Sequence, residues 1–205
     1  MPAEHCIDPR PAIPFPSLPQ LLEYHAKRIP EALAILAPGR PPLSYGRLHR
    51  RIEETGRRLR ATGIGPYDRV AVVLPNGPEM AVATLAVASR AVCAPLNPAY
   101  ATTELDKYFV DLRVIALVTE AGIDSPARRA ALSRGIRVVE LSTADDDQAG
   151  LLALAGGEEG ATSDDLVGPD DVALLMLTSG TTSRPKVVAS THANICTAAH
   201  SWVRH

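Results

Sequence analysis

The sequence contains few cysteines and few aromatic residues. Its 205 residues include three cysteines, one tryptophan and two phenylalanines. Cys6, Cys93 and Cys196 lie far apart, without the paired spacing of a zinc site or the density of a disulfide framework. This usage fits a protein of a reducing compartment, and we expect a cytoplasmic location.

Long apolar runs and an excess of basic charge are also missing. The chain does not start with a basic region followed by an apolar one, as a signal peptide would. The apolar stretch at residues 80–96 is interrupted by Ser89, Arg90 and Pro95, so we expect no membrane span. The formal net charge is -2, and therefore nothing indicates a general attraction to nucleic acid.

Strand-like apolar segments alternate with helical patterns along most of the chain. Leu48, Ile52, Thr55 and Leu59 recur at helical spacing, and the apolar run at residues 69–74 predicts a buried strand. Further strands are predicted at residues 32–36, 92–96, 114–119, 136–141, 172–177 and 187–190. This alternation predicts an α/β fold with a mostly parallel sheet flanked by helices on both faces.

Two segments read as irregular, and a third reads as a turn. Residues 1–16 contain five prolines and predict an extended leader before a single domain at residues 17–205. Residues 142–171 carry nine acidic and no basic side chains, and they predict a flexible, solvated connection. Residues 38–42 combine three prolines with a glycine and predict a turn.

The most specific segment follows the apolar run at residues 172–177. It combines small hydroxyl residues and a glycine with two basic residues, and its members are Thr178, Ser179, Gly180, Thr181, Thr182, Ser183, Arg184, Pro185 and Lys186. Hydroxyls and free N–H groups donate to phosphate oxygens, and a lysine supplies positive charge. The common P-loop is excluded because Gly-Lys-Ser/Thr is missing. An ordinary polar turn is the alternative, but this ordered string favours a loop that holds a polyphosphate.

The string at residues 178–186 resembles the phosphate-loop motif of the adenylate-forming superfamily. That superfamily includes acyl-CoA synthetases, 4-coumarate-CoA ligases, luciferases and nonribosomal peptide adenylation domains. Four further strings are similar to family segments, at residues 43–45, 65–70, 74–76 and 94–100. Ser183 and Arg184, together with residues 95–100, look most like the oxalate-CoA ligase branch. The similarity begins near Leu18, and it implies the first part of the family's large N-terminal domain.

The resemblance implies an AMP-forming ligase. Such an enzyme activates a carboxylic acid with ATP as an acyl-adenylate and then forms a thioester with coenzyme A. It implies ATP-phosphate contacts at Thr178, Ser179, Gly180, Thr181, Thr182 and Lys186. Lys186 would be catalytic by countering the charge that grows on the leaving pyrophosphate. Thr178 would help to hold Mg²⁺. The acid stays open among oxalate-like, fatty and aromatic acids.

Two residues depart from the family pattern, and two others are candidates for a catalytic role. Val187 and Tyr67 stand where the family usually has glycine. We expect Val187 to restrict and crowd the loop, and Tyr67 to alter a surface turn. His192 and Asn194 lie on the next predicted helix, where capping or packing is favoured over direct catalysis.

The family's later segments and its small C-terminal domain with a catalytic lysine have no counterpart in this sequence. We therefore expect the chain alone to lack full activity. Two alternatives stay open, a non-catalytic nucleotide-binding or interaction module and an inactive truncated remnant. We also expect exposed strand edges to favour self-association.

Overall fold

The computed structural model describes residues 15–143, 150, 152–154, 167–178 and 185–203. Six helices and nine strands lie in these ranges. In chain order they are α1 (Leu18–Arg28), β1 (Leu33–Ala37), β2 (Arg40–Ser44), α2 (Tyr45–Ala61), β3 (Arg69–Val73), α3 (Pro78–Ala88), β4 (Val92–Pro95), α4 (Thr102–Asp111), β5 (Ala116–Glu120), α5 (Pro126–Ser133), β6 (Arg137–Thr143), β7 (Leu152–Leu154), β8 (Val172–Thr178), β9 (Lys186–Thr191) and α6 (His192–Val203).

Seven of these strands form one sheet in the order β7-β6-β5-β3-β4-β8-β9. The pairs from β6 through to β8 are all parallel. The two outer strands are antiparallel, since β7 pairs with β6 and β9 pairs with β8. The prediction of a mostly parallel sheet is therefore confirmed, and β1 and β2 form a separate antiparallel hairpin.

Helices cover both faces of the sheet, because successive strand residues point to opposite sides. Val70 and Val72 pack with the helices α1, α2 and α3 in one core layer. Ala71 and Val73 pack with α4 and α5 in the other. All four of these β3 residues are at most 4% exposed. The sheet centre is thus buried on both sides, as its unbroken apolar run predicts.

The apolar residues that predict the helix α2 are the ones that it buries in the core. Leu48, Ile52 and Leu59 recur at helical spacing, and each is at most 2% exposed. Burying such a side chain stabilises the fold by roughly 1.5–3 kcal/mol relative to leaving it in water. Gly63 follows the helix with a φ of +81°, a conformation that glycine adopts without steric cost.

Two irregular segments turned out to contain strands. The prediction of a turn over residues 38–42 is wrong beyond Gly39, because β2 begins at Arg40 and includes Pro41 and Pro42. Proline lacks an N–H group, but a two-stranded hairpin has open edges where no partner requires that donor.

The predicted flexible connection at residues 142–171 also needs correction. β6 continues to Thr143, and Leu152–Leu154 form β7 against it. Three residues are too few for a periodic signal, so only pairing with β6 reveals this strand. Gly150 is also tied to the fold, since its N–H donates to Glu79 Oε1 at 3.1 Å. The rest of the segment up to residue 166 and the leader at residues 1–14 lie outside the described residues.

Candidate functional site

The predicted phosphate loop connects the two strands of an antiparallel hairpin. β8 and β9 pair from Val172 opposite Thr191 to Thr178 opposite Lys186. The Thr178 hydroxyl donates to the Lys186 carbonyl oxygen at 3.3 Å. The structure therefore brings together the first and last predicted phosphate contacts as direct cross-strand partners. The contacts predicted between them, at Ser179, Gly180, Thr181 and Thr182, lie outside the described residues.

The two residues that flank the loop, Thr178 and Lys186, lie at the edge of the sheet where ligands bind in open α/β folds. β8 runs parallel to β4, so Thr178 at its end lies beyond the same edge as the segment that follows β4. Asn97 lies in that segment. Its Oδ1 atom accepts a hydrogen bond from the Ala99 N–H at 2.9 Å, which makes it a turn residue.

Lys186 supplies an exposed positive charge at this edge. None of the described acidic side chains forms an ion pair with it. An ammonium group without a carboxylate partner remains available to phosphate oxygens. Because the neighbouring Pro185 is fixed in φ by its ring, the backbone entering β9 is stiff at the point where Lys186 begins.

A cavity of about 530 Å³ is lined by Pro185 and by residues of α4. Glu104, Asp106 and Asp111 line it together with two basic residues, Lys107 and Arg134. Asp106 is already paired with Arg134 there, and this ion pair holds the pKa of the Asp106 carboxyl below its usual range. A polyphosphate would meet three carboxylates and two basic groups in this cavity, so the cavity against α4 does not favour phosphate.

Magnesium fits the site only as a companion of the nucleotide. The described residues contain no group of three or more His, Cys, Asp or Glu side chains that could hold a metal ion. Thr178 offers a single exposed hydroxyl oxygen. Mg²⁺ commonly takes one or two protein oxygens and completes its shell with water and substrate phosphates, so one hydroxyl is compatible with Mg·ATP.

Val187 is accommodated as a strand residue. It lies in β9 opposite Leu177 and is 47% exposed. A β-branched side chain favours this extended conformation, so the restricted backbone of Val187 is compatible with its place in β9. Tyr67 is 74% exposed in the segment before β3, which agrees with its assignment to a surface turn.

The base of the hairpin is anchored through His192, the first residue of α6. The His192 side chain is fully buried, and its Nδ1 atom accepts a hydrogen bond from the Leu18 N–H at 3.2 Å. The His192 N–H in turn donates to the Asp171 carbonyl oxygen, just before β8, at 3.0 Å. Burial lowers the pKa of the imidazole, and the nearby Asp171 charge opposes that effect. His192 therefore packs as a neutral side chain that joins α1, α6 and the start of β8.

Asn194 caps the same helix. Its Oδ1 atom accepts from the Thr191 N–H at 3.1 Å, and its own N–H donates to the Thr191 hydroxyl at 3.2 Å. This reciprocal pair satisfies two N–H groups at the start of the helix. The preference for capping and packing over catalysis at His192 and Asn194 agrees with these contacts. The partnership of His192 with Leu18 has no local signal, because 174 residues separate the two.

Among the helices that the structure describes, none has both the length and the apolar character needed to cross a bilayer.

Comparisons with known proteins agree with this architecture. The family model described as AMP-binding enzyme matches residues 22–205. Oxalate–CoA ligase of Arabidopsis thaliana is 39% identical over 183 residues, which make up 87% of this chain and 36% of that protein. Feruloyl-CoA synthase of an Amycolatopsis species is 35% identical over 173 residues, covering 83% of this chain and 32% of that protein.

Among solved structures, ATP-bound MatB from Rhodopseudomonas palustris superposes with a TM-score of 0.74 at 29% identity. The alignment covers 92% of this chain and 37% of that one. The chain thus spans about a third of the length of these two curated relatives.

Proposed function

Because the chain belongs to the AMP-binding enzyme family, we propose that it is the N-terminal part of an ATP-dependent acid-CoA ligase whose β8–β9 loop holds the ATP phosphates. One observation carries the proposal. Thr178 and Lys186 face each other across the open end of the hairpin, at the carboxyl edge of the sheet. We assign residues 17–205 to the adenylation domain, and a cytoplasmic location stays a prediction.

The first step joins the acid to ATP. A carboxylate oxygen attacks the α-phosphorus, the bond from that phosphorus to the bridging oxygen breaks, and pyrophosphate leaves with the bond electrons. The products are an acyl-adenylate and pyrophosphate. Negative charge grows on the leaving oxygens, so fixed donors and cations near them lower the barrier.

Lys186 is suited to that task. Its exposed ammonium group has no described acidic partner that would neutralise it. The Thr178 hydroxyl donates to the Lys186 carbonyl, which leaves its oxygen lone pairs for the Mg²⁺ that accompanies ATP. We place Ser179, Gly180, Thr181 and Thr182 as further phosphate contacts on the strength of their hydroxyl and backbone donors.

The second step transfers the acyl group to coenzyme A. The thiol sulfur attacks the acyl carbonyl carbon, AMP leaves, and the thiol proton is lost to solvent or to a base. Ser183, Arg184 and residues 95–100 resemble the oxalate-CoA ligase branch. Together with the 39% identity to an oxalate–CoA ligase, this resemblance favours a small carboxylic acid as the substrate. The identity to a feruloyl-CoA synthase keeps an aromatic acid as the alternative.

For these 205 residues taken alone, we propose nucleotide binding without turnover. The supporting fact is that the chain spans 36% of the oxalate–CoA ligase and 32% of the feruloyl-CoA synthase that it matches. In this respect the chain would act as a nucleotide-binding module, the alternative expected from the sequence.

Calorimetric titration of the chain with Mg·ATP tests the proposal. We expect binding, and we expect Lys186→Ala to weaken it roughly tenfold or more, because a charge-assisted contact to phosphate is lost. Lys27→Ala is the matched control, since Lys27 is also exposed but lies on α1 in a surface pair with Glu23. That control should bind as the unchanged chain does.

Equal binding by the Lys186 variant and the control would overturn the assignment of the phosphate site. Robust ATP–pyrophosphate exchange with an acid panel would instead contradict the claim that this chain binds without turnover.

A further inference from the structure

A second cavity lies on the same sheet, two strands away from β8. Its volume is about 340 Å³, and it opens at the carboxyl ends of β3 and β5. The proposed ATP chemistry does not use it. Its lining residues come from the β1–β2 hairpin, from the turn between β3 and α3, and from the ends of β5 and β6.

The strand order explains why a cavity forms at this point. After β3 the chain adds β4 on one side, and then it crosses to place β5 on the other side of β3. The connections after β3 and β5 therefore leave in opposite directions and open a crevice between the two strand ends. Ligands in open α/β sheets bind preferentially at such a crossover point.

The floor of the cavity is apolar. Leu74 and Leu141 are 3% and 1% exposed, and Ala37, Pro75 and Pro78 complete the apolar lining. Small-molecule sites combine such a floor with a few polar groups that orient the ligand. The volume lies near the lower end of the usual range for such sites, roughly 300–1,000 Å³, so it suits a small ligand.

Three charged side chains line the polar rim, and two of them form an ion pair with each other. Arg40 pairs with Glu79 at 2.6 Å, and Glu79 also accepts from the Gly150 N–H. Glu120, at the end of β5, is half-buried, and its carboxylate has no hydrogen-bonding or ionic partner among the described residues. The Asn76 amide, across the same cavity, likewise lacks a described partner.

We propose that this cavity binds a small amine, with its apolar body against Leu74 and Leu141 and its ammonium group on Glu120. A carboxylate that is partly shielded from water attracts a cation more strongly than a fully solvated carboxylate does, because the effective dielectric constant around it is lower. The Asn76 carbonyl oxygen can accept one of the remaining ammonium hydrogens. The unpaired Glu120 carboxylate is negative, so this cavity favours a cationic ligand. The β8–β9 loop, in contrast, is expected to bind phosphate anions.

Amide chemical shifts of the ¹⁵N-labelled chain test the proposal, with 2-phenylethylamine as the probe and uncharged 2-phenylethanol as its neutral counterpart. We expect the amine to shift the amide signals of Asn76, Gly77 and Glu120. The dissociation constant should be on the order of millimolar, as the ligand efficiency of a small probe implies. The alcohol should bind roughly fivefold or more weakly, because it lacks the charge.

Two variants examine separate parts of the site. Glu120→Gln keeps the shape and removes the charge, so the amine should then bind no better than the alcohol. Ala37→Leu fills the cavity and should abolish the shifts caused by both probes. Glu31→Gln, at an exposed position before β1, is the control that should change nothing.

Three outcomes would overturn the proposal. The amine could cause no shifts at these residues up to concentrations on the order of 10 mM. It could shift signals at a different part of the surface. It could also bind Glu120→Gln as tightly as the unchanged chain, which would show that the carboxylate plays no part.

Discussion

The centre of the sheet and the β8–β9 hairpin are parts of one hydrogen-bonded structure with very different surroundings. Val70, Ala71, Val72 and Val73 in β3 are at most 4% exposed, because helices cover both faces. In β9, residues 186–189 are all exposed. The difference indicates that the centre contributes stability, while the hairpin edge leaves side chains and backbone groups free for a ligand or a partner.

A comparison of two valines, one at the sheet centre and one at the hairpin, should show the greatest difference in the free energy of unfolding. Val118 in β5 is 1% exposed, whereas Val188 in β9 is 42% exposed. Val118→Ala should lower the free energy of unfolding by about 2 kcal/mol or more, since buried methyl groups are lost and a cavity remains. Val188→Ala should change it by about 0.5 kcal/mol or less. Urea denaturation measures both, and similar losses would contradict the contrast between centre and edge.

An intermediate effect concerns the buried base of the hairpin. Burial lowers the pKa of His192 in the folded chain, so the fold favours the neutral imidazole. The contribution of His192 to the free energy of unfolding is therefore fully present above the unfolded-state pKa of about 6.5, and this contribution decreases as the pH falls below that value. Protonation of Nδ1 would also remove the acceptor for the Leu18 N–H. We expect a slope of at most about 1.4 kcal/mol per pH unit from this group.

His192→Asn isolates that contribution, because the asparagine Oδ1 atom can still accept from the Leu18 N–H but cannot titrate. Its unfolding free energy, measured from about pH 7 to pH 5, should depend less on pH than that of the unchanged chain. Identical slopes for the unchanged chain and His192→Asn would rule out His192 as the source.

The smallest expected effect tests whether the exposed edge self-associates. Val187 and Val188 are 47% and 42% exposed on β9, the outermost described strand at this side of the sheet. Such an edge can pair with a second copy, and a lysine there discourages the pairing. Val188→Lys should weaken association roughly tenfold in sedimentation equilibrium, which corresponds to about 1.4 kcal/mol.

Val110→Lys is the matched control for the edge, because Val110 is 51% exposed on the helix α4. It should leave association unchanged. If both lysine variants reduce association equally, general charge repulsion and not strand pairing explains the effect. A chain that remains monomeric at every concentration would contradict self-association itself.

Local patterns predicted most of the elements. Leu48, Ile52 and Leu59 mark α2 because helical periodicity depends only on neighbouring residues. The run at residues 69–74 marks β3 because a strand buried on both faces is apolar throughout. The strands β2 and β7 are not predicted from the sequence, because each is recognised only by its pairing with another strand. The prolines of β2 are typical of a turn, and β7 has only three residues.

The candidate site divides in the same way. The hydroxyl, glycine and lysine composition of residues 178–186 predicts phosphate binding without reference to any distant residue. The pairing of Thr178 with Lys186, and the anchoring of His192 to Leu18, depend on which segments the fold brings together. The cavity beside Glu120 also could not be predicted, because its lining comes from the β1–β2 hairpin and from three separate strand ends.

The alternation of strands and helices, the buried centre of the sheet and the chemical character of residues 178–186 can be predicted from the sequence alone. These properties follow from hydrophobic periodicity and side-chain type, which are local. The strand order, the position of Thr178 and Lys186 at the carboxyl ends of the strands and the pairing of His192 with Leu18 arise in the tertiary structure. Those depend on packing between segments far apart in the chain, where the loss of apolar surface to water and the need to satisfy buried hydrogen bonds select one arrangement.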